Sequence, residues 1–255
     1  MKKKIWLFFL FPLVFVSLCY SQSTSTQPGL PLPELNISLR QTDNPSEFTS
    51  TLQVFIILTV LSIAPSFLIM MTSFTRFIVV FAFLRQGLAI PQIPPNQVLA
   101  GLALFLTFFV MAPIIKSINE EALQPYLTSE IGQREAFEKA LSPIRDFMLR
   151  QTRTDDIQLM QRLSGLDSIE SKADLPTHVL IPSFIISELT TAFTIGFLLF
   201  IPFLVIDMVV ASILMAMGML MVPPISISLP FKILLFVLVD GWNLLIYSLV
   251  SGIKG

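Results

Sequence analysis

Long uncharged stretches alternate along this chain with short charged interruptions. Residues 48–75 form a run of 28 without a charge, ended by Arg76, and residues 86–115 form one of 30, ended by Lys116. A helix crossing a bilayer needs about 20 apolar residues at 1.5 Å rise each. Each run therefore predicts one span, at 51–71 and 97–115. Residues 175–253 carry only Glu188, Asp207, Lys232 and Asp240 as charges. They predict a second hairpin over 179–255, with spans at 181–210 and 229–250 and a methionine-rich turn at 215–224; three shorter spans are the alternative. The fold class is an all-α membrane protein of about four apolar helices.

The connection at 76–95 joins the two spans of a first hairpin, 48–115. Its charges, Arg76 and Arg85, are both positive, and Pro91, Pro94 and Pro95 interrupt it. Positive short loops stay in the cytoplasm, so this one is assigned there. Residues 116–178 then fall on the far side as a small helical periplasmic insert. They hold eight basic and eleven acidic residues, and long loops translocate regardless of charge. Ser129 opens a helical run carrying Ile131, Phe137 and Leu141. Ser142-Pro143 reads as the N-cap and first position of another, with Ile144, Phe147 and Met148. Thr154, Asp155 and Asp156 begin a third, with Ile157, Met160 and Leu163 facing inward and Gly165 at its end.

The beginning of the chain agrees with this topology. Lys2, Lys3 and Lys4 precede an apolar run ending in small and polar residues, the pattern of a signal peptide cut after Ser21; an uncleaved anchor is the alternative. Residues 22–47 are rich in Ser, Thr, Pro and Asn, and predict a flexible periplasmic arm.

Composition narrows the function. Hydrophobic residues make up 54% and charged ones 13%, against roughly 45–50% and 25% in soluble domains. A formal charge of −1 argues against a nucleic-acid binder. One cysteine, Cys19, and one histidine, His178, leave no basis for a disulfide, a Cys/His metal site or a bound cofactor. No HExxH, GxSxG or paired intramembrane Asp motif occurs, so no catalytic residue is assigned and an enzyme is not expected.

Ionisable groups within apolar helices normally face a bundle interior or a wet cavity. Glu188, Asp207, Asp240, Arg76, Arg85 and Lys232 are the candidates, with snorkelling to the interface open for the two arginines. Glu188 and Lys232 lie near opposite ends of a simple hairpin, so a direct pair between them requires a bent hairpin or a neighbouring subunit. Pro65 and Pro202 fall inside spans and predict bends; Gly218, Pro223 and Pro224 predict a break. Met215, Met217, Met219 and Met221 alternate just before that break, where flexible side chains suit an adaptable apolar loop.

Five segments together resemble a known family: MMTSFTRFIVVFAFLRQGL (70–88), PPNQVLAGLALFLTFFVMAP (94–113), IPSFIISELTTAFTIGF (181–197), MGMLMVPP (217–224) and LPFKILLFVLVDGW (229–242). They are similar to the FliP proteins of the flagellar export gate, related to the SctR proteins of injectisomes. The signal, the insert and DFMLRQTR (146–153) favour the flagellar branch. The resemblance implies five copies assembled with FliQ and FliR into a closed helical channel of the inner membrane, within the basal body. FlhA and FlhB stand nearby, FliO assists assembly, and unfolded flagellar subunits pass through. It implies a gasket at Met219, Leu220 and Met221, flanked by Met215 and Met217, with Leu220 departing from three successive methionines. It also implies a buried ion pair between Glu188 and Lys232. An injectisome gate subunit, or an ion or solute transporter using the buried charges, are the alternatives.

Overall fold

The computed structural model describes residues 45–165, 174–219 and 221–254. The signal peptide, most of the 22–47 arm, and Leu220 lie outside the described residues. Two compact units divide the chain at Leu52, and of residues 1–52 only the opening of the first helix is described.

Every described element is helical. In order they are α1 (Pro45–Met70), α2 (Phe74–Gly87), α3 (Asn96–Ile118), a π-helical turn (Asn119–Leu123) running into the short α4 (Gln124–Leu127), α5 (Gln133–Gln151), α6 (Thr154–Leu163), α7 (Thr177–Ala216), α8 (Pro224–Leu238) and α9 (Gly241–Lys254). The stretch from Asn96 to Leu127 and α7 are each long and apolar enough to cross a membrane. The α8–α9 pair, bent by 62°, makes a third if taken as one broken span. The protein is an all-α membrane protein.

The segment read as a connection at 76–95 is largely a core helix. On α2, Arg76, Phe77, Val80, Phe81, Leu84 and Gly87 are buried at helical spacing. That stripe packs chiefly along α7, whose Val179, Leu180, Phe184 and Ala192 face it or the insert from a second buried row. Leu99 and Ala103 of α3, Phe147 and Met148 of α5, and Leu249 of α9 complete the core. Each large apolar side chain so buried contributes about 1.5–3 kcal/mol.

In the insert, α5 runs unbroken through Pro143, so Ser142-Pro143 does not start a helix. Leu141, Ile144 and Met148 keep one helical stripe against the core across the proline, and that packing outweighs one missing backbone bond. On α6, Ile157 is buried and Met160 half-buried as expected, but Leu163 is exposed, one turn beyond the contact.

No described helix ends at Pro65 or Pro202; α1 and α7 each pass through their proline. Breaks occur instead where the backbone turns left-handed. At the end of α7, Gly218 has φ +74°, its N–H bonds to the Met215 carbonyl and that of Met219 to Leu214, both at 3.0 Å. This is the Schellman closure, and glycine suits it because a Cβ is disfavoured at that φ. Gly218 is thus a helix stop. Pro223 and Pro224 then set the first turn of α8.

The span expected at 229–250 is cut by a second break. Asp240 has φ +50°, and its N–H bonds to the Val237 carbonyl at 3.1 Å. A Cβ on Gly241 would lie 2.3 Å from the ring of Phe236, so only glycine fits against it. Trp242 then packs edge-on against Phe236 and Phe81, with centroids 5.7 and 6.2 Å away. The sequence Val-Asp-Gly-Trp (239–242) is therefore an aromatic-braced corner.

Candidate functional site

Two buried ion pairs hold the apolar helices together, and their partners differ from those expected. Glu188, on α7, is held by Arg76 of α2. Arg76 Nε donates to Glu188 Oε2 at 2.8 Å and Nη2 donates to Oε1, a two-pronged contact that only arginine can make with a carboxylate. Both residues are nearly inaccessible. Lys232, on α8, is held by Asp207 of α7, with Nζ donating to Oδ2 at 2.6 Å and to the Gly87 carbonyl at 3.2 Å. Ser228 donates to the other oxygen of Asp207 at 2.6 Å.

The direct Glu188–Lys232 pair is accordingly corrected: both charges are buried, and each has its own counter-ion. The reason is helical distance. Glu188 sits in the first third of α7, beside α2, whereas Lys232 packs near the far end of α7, nineteen residues beyond Glu188 at Asp207. One hairpin cannot bring them together.

The remaining charges vary in burial. Arg85 is half-buried and donates to the Pro94 carbonyl at 3.5 Å and to the Asn96 side chain, pinning the corner before α3. Asp207 is half-buried. Asp240 is exposed and not a buried charge, because the corner it forms turns its side chain outward from the packed faces. His178 is exposed in the first turn of α7. Among the described residues no three His, Cys, Asp or Glu side chains gather as a metal site.

Several partners carried no obvious signal in the sequence: Ser187, Ser228, Gln151 and the carbonyl of Gly87. Ser187 and Ser228 are short hydroxyls among apolar residues, next to Glu188 and one turn from Lys232. Their placement beside a charge was the available cue.

The turn between α7 and α8 is the other site. Met215, Met217 and Met219 are exposed and Met221 is 98% exposed. A chain that buries so many large side chains elsewhere leaves these at a projecting turn. Apolar faces also lie open on α7, at Phe193, Phe197, Val205, Met208 and Val209, and every described side chain from 52 to 70 is exposed. Apolar surface of that extent marks contact with lipid or other protein.

The model of the FliP family matches residues 57–249, which include both ion pairs and the methionine turn. The chain belongs to the FliP family. Among its relatives, a flagellar biosynthetic protein FliP of Bacillus subtilis is 54% identical over 215 residues, 84% of this chain and 97% of that one. A protein of the same name from Pectobacterium carotovorum is 53% identical over 204 residues, 80% of this chain and 79% of its own. Another, from Borreliella burgdorferi, is 44% identical over 254 residues, 98% and 99% of the two chains. Membership in the FliP family therefore extends over the helices, the insert and both breaks.

Proposed function

We propose that this chain is a channel-forming subunit of the flagellar protein export gate, passing unfolded flagellar subunits across the inner membrane without catalysing a reaction. The family match over the paired helices and the methionine turn carries the reading. On it, several copies assemble with FliQ and FliR near FlhA and FlhB, with FliO as assembly factor, inside the basal body. The open apolar faces of α1 and α7 are covered by these neighbours or by lipid, and the insert from 116 to 178 lies in the periplasm. Both ion pairs serve packing, and the methionines of the 215–224 turn meet around the substrate path. Methionine fits that position because an unbranched, polarizable side chain closes around varied shapes.

The experiment is secretion of hook and filament subunits by a strain lacking the gene, with and without its return. Export is expected to vanish and be restored; unchanged export would overturn the reading and direct the search to an injectisome in the same cell. A finer expectation concerns the turn. Met219→Ala combined with Met221→Ala should let small ions leak through the assembled gate while substrates still pass. Unchanged ion tightness would show that the turn is no seal.

A further inference from the structure

The segment Asp146 to Arg153 has no task in the export reading, yet its last residues are held from several sides. Phe147 and Met148 are buried, Phe147 edge-on to Phe184 with centroids 5.9 Å apart. The Thr152 hydroxyl donates to the Met148 carbonyl at 2.6 Å and closes α5. Ser187 of α7 grips the turn that follows. Its Oγ accepts from the Arg153 N–H at 3.0 Å and donates to the Gln151 carbonyl at 3.3 Å.

The Gln151 side chain reaches in two further directions. Its Oε1 accepts from Arg76 Nη2 at 3.0 Å, and its Nε2 donates to the Ile253 carbonyl at 2.9 Å. The orientation of the amide follows from its neighbours: turned over, it would set NH2 against a guanidinium and oxygen against a carbonyl. Ile253 lies in the last turn of α9, where carbonyls have no partner within their own helix. Gln151 provides one. A single side chain thus touches the insert, the buried Arg76–Glu188 pair and the end of α9.

Ile253 is buried in the core, yet the packing beside it is incomplete. Ile253 borders a cavity of about 350 Å3 that is also walled by Pro113, Phe147 and Arg150, which leaves room for the last turn to shift. We propose that Gln151 is a latch through which the seating of the insert on α7 fixes the position of the end of α9, so that displacing the insert releases it. The latch is a property of the single chain and holds whether or not the chain serves export.

The test uses the full chain in detergent, with Cys19→Ser and a single reporter, Ile253→Cys, labelled by a polar maleimide. With Gln151 present labelling is slow. Gln151→Met removes both side-chain bonds, and Gln151→Glu keeps an acceptor for Arg76 but has no N–H for Ile253. Both are expected to label about fivefold to tenfold faster, the factor that one lost hydrogen bond gives to a local opening. A second reporter, Ala192→Cys, at a fully buried site on α7, is expected to stay slow throughout. Equal rates at Ile253→Cys in all three backgrounds would overturn the latch. So would a Gln151→Glu protein that labels like its parent, since the Arg76 contact alone would then position α9. If Gln151→Met also exposes Ala192→Cys, it has lost its fold and Gln151→Glu decides.

Discussion

Glu188→Ala is expected to destabilise the protein by about 3–5 kcal/mol, the cost of leaving a buried guanidinium without its counter-ion. The argument rests on burial and geometry together. Arg76 lies inside the α2–α7 contact, is nearly inaccessible, and spends two of its nitrogens on Glu188. Gln151 remains as a partner after the substitution, but a neutral amide replaces only part of what a carboxylate gives. The discriminating comparison is the double replacement Arg76→Met with Glu188→Leu. A buried pair exchanged for apolar groups of similar volume loses far less than one partner removed, so the double variant is expected to melt above Glu188→Ala. Thermal loss of helical circular dichroism in detergent reads both. A double variant melting well below the single would show that the pair contributes specific stability beyond mutual neutralisation.

The second pair is unequal, and the inequality gives a sign. The Lys232 side chain is 3% exposed and that of Asp207 29%. Asp207→Ala strands an ammonium in the interior with only the Gly87 carbonyl to receive it. Lys232→Met strands a carboxylate that water reaches and that Ser228 already bonds. Asp207→Ala should therefore cost the more, on the order of 3 kcal/mol against about 1 kcal/mol for Lys232→Met. The order of the two melting temperatures is the observable. Lys232→Met as the more damaging change would mean that the stranded Asp207 carboxylate, not a stranded Lys232 ammonium, carries the larger penalty.

How much of this was legible in the sequence depends on the physical signal each feature leaves. Burial is written in hydropathy, so the apolar helices and the individual charges among them could be read directly. Pairing is not, because it depends on which helices become neighbours. Arg76 seemed to belong to a short connection only because two arginines and three prolines follow an uncharged run. The 3.6-residue stripe of Phe77, Val80, Phe81 and Leu84 marks it as a core helix instead. Pro65 and Pro202 lie inside continuous helices, where a proline removes one backbone bond without ending the helix. The actual corners depend on single left-handed residues, Gly218 and Asp240; the Asp240-Gly241 pair is a turn signal, hidden here within an apolar run long enough to read as one span. Gln151 was invisible for a third reason: a polar residue's partner, 75 or 102 positions away, leaves no trace in local composition.

The length of α7 sets a ruler against the membrane itself. Forty residues span about 60 Å at 1.5 Å each, twice the roughly 30 Å of hydrocarbon in a bilayer. At the tilts of about 0–40° that spanning helices adopt, part of this greasy rod stands clear of the lipid. Water cannot cover that part at tolerable cost, so other polypeptide has to. Its own chain already buries the first half of the helix, from Val179 to Gly196, so the cover still needed is over the second half, open at Val205, Met208 and Val209.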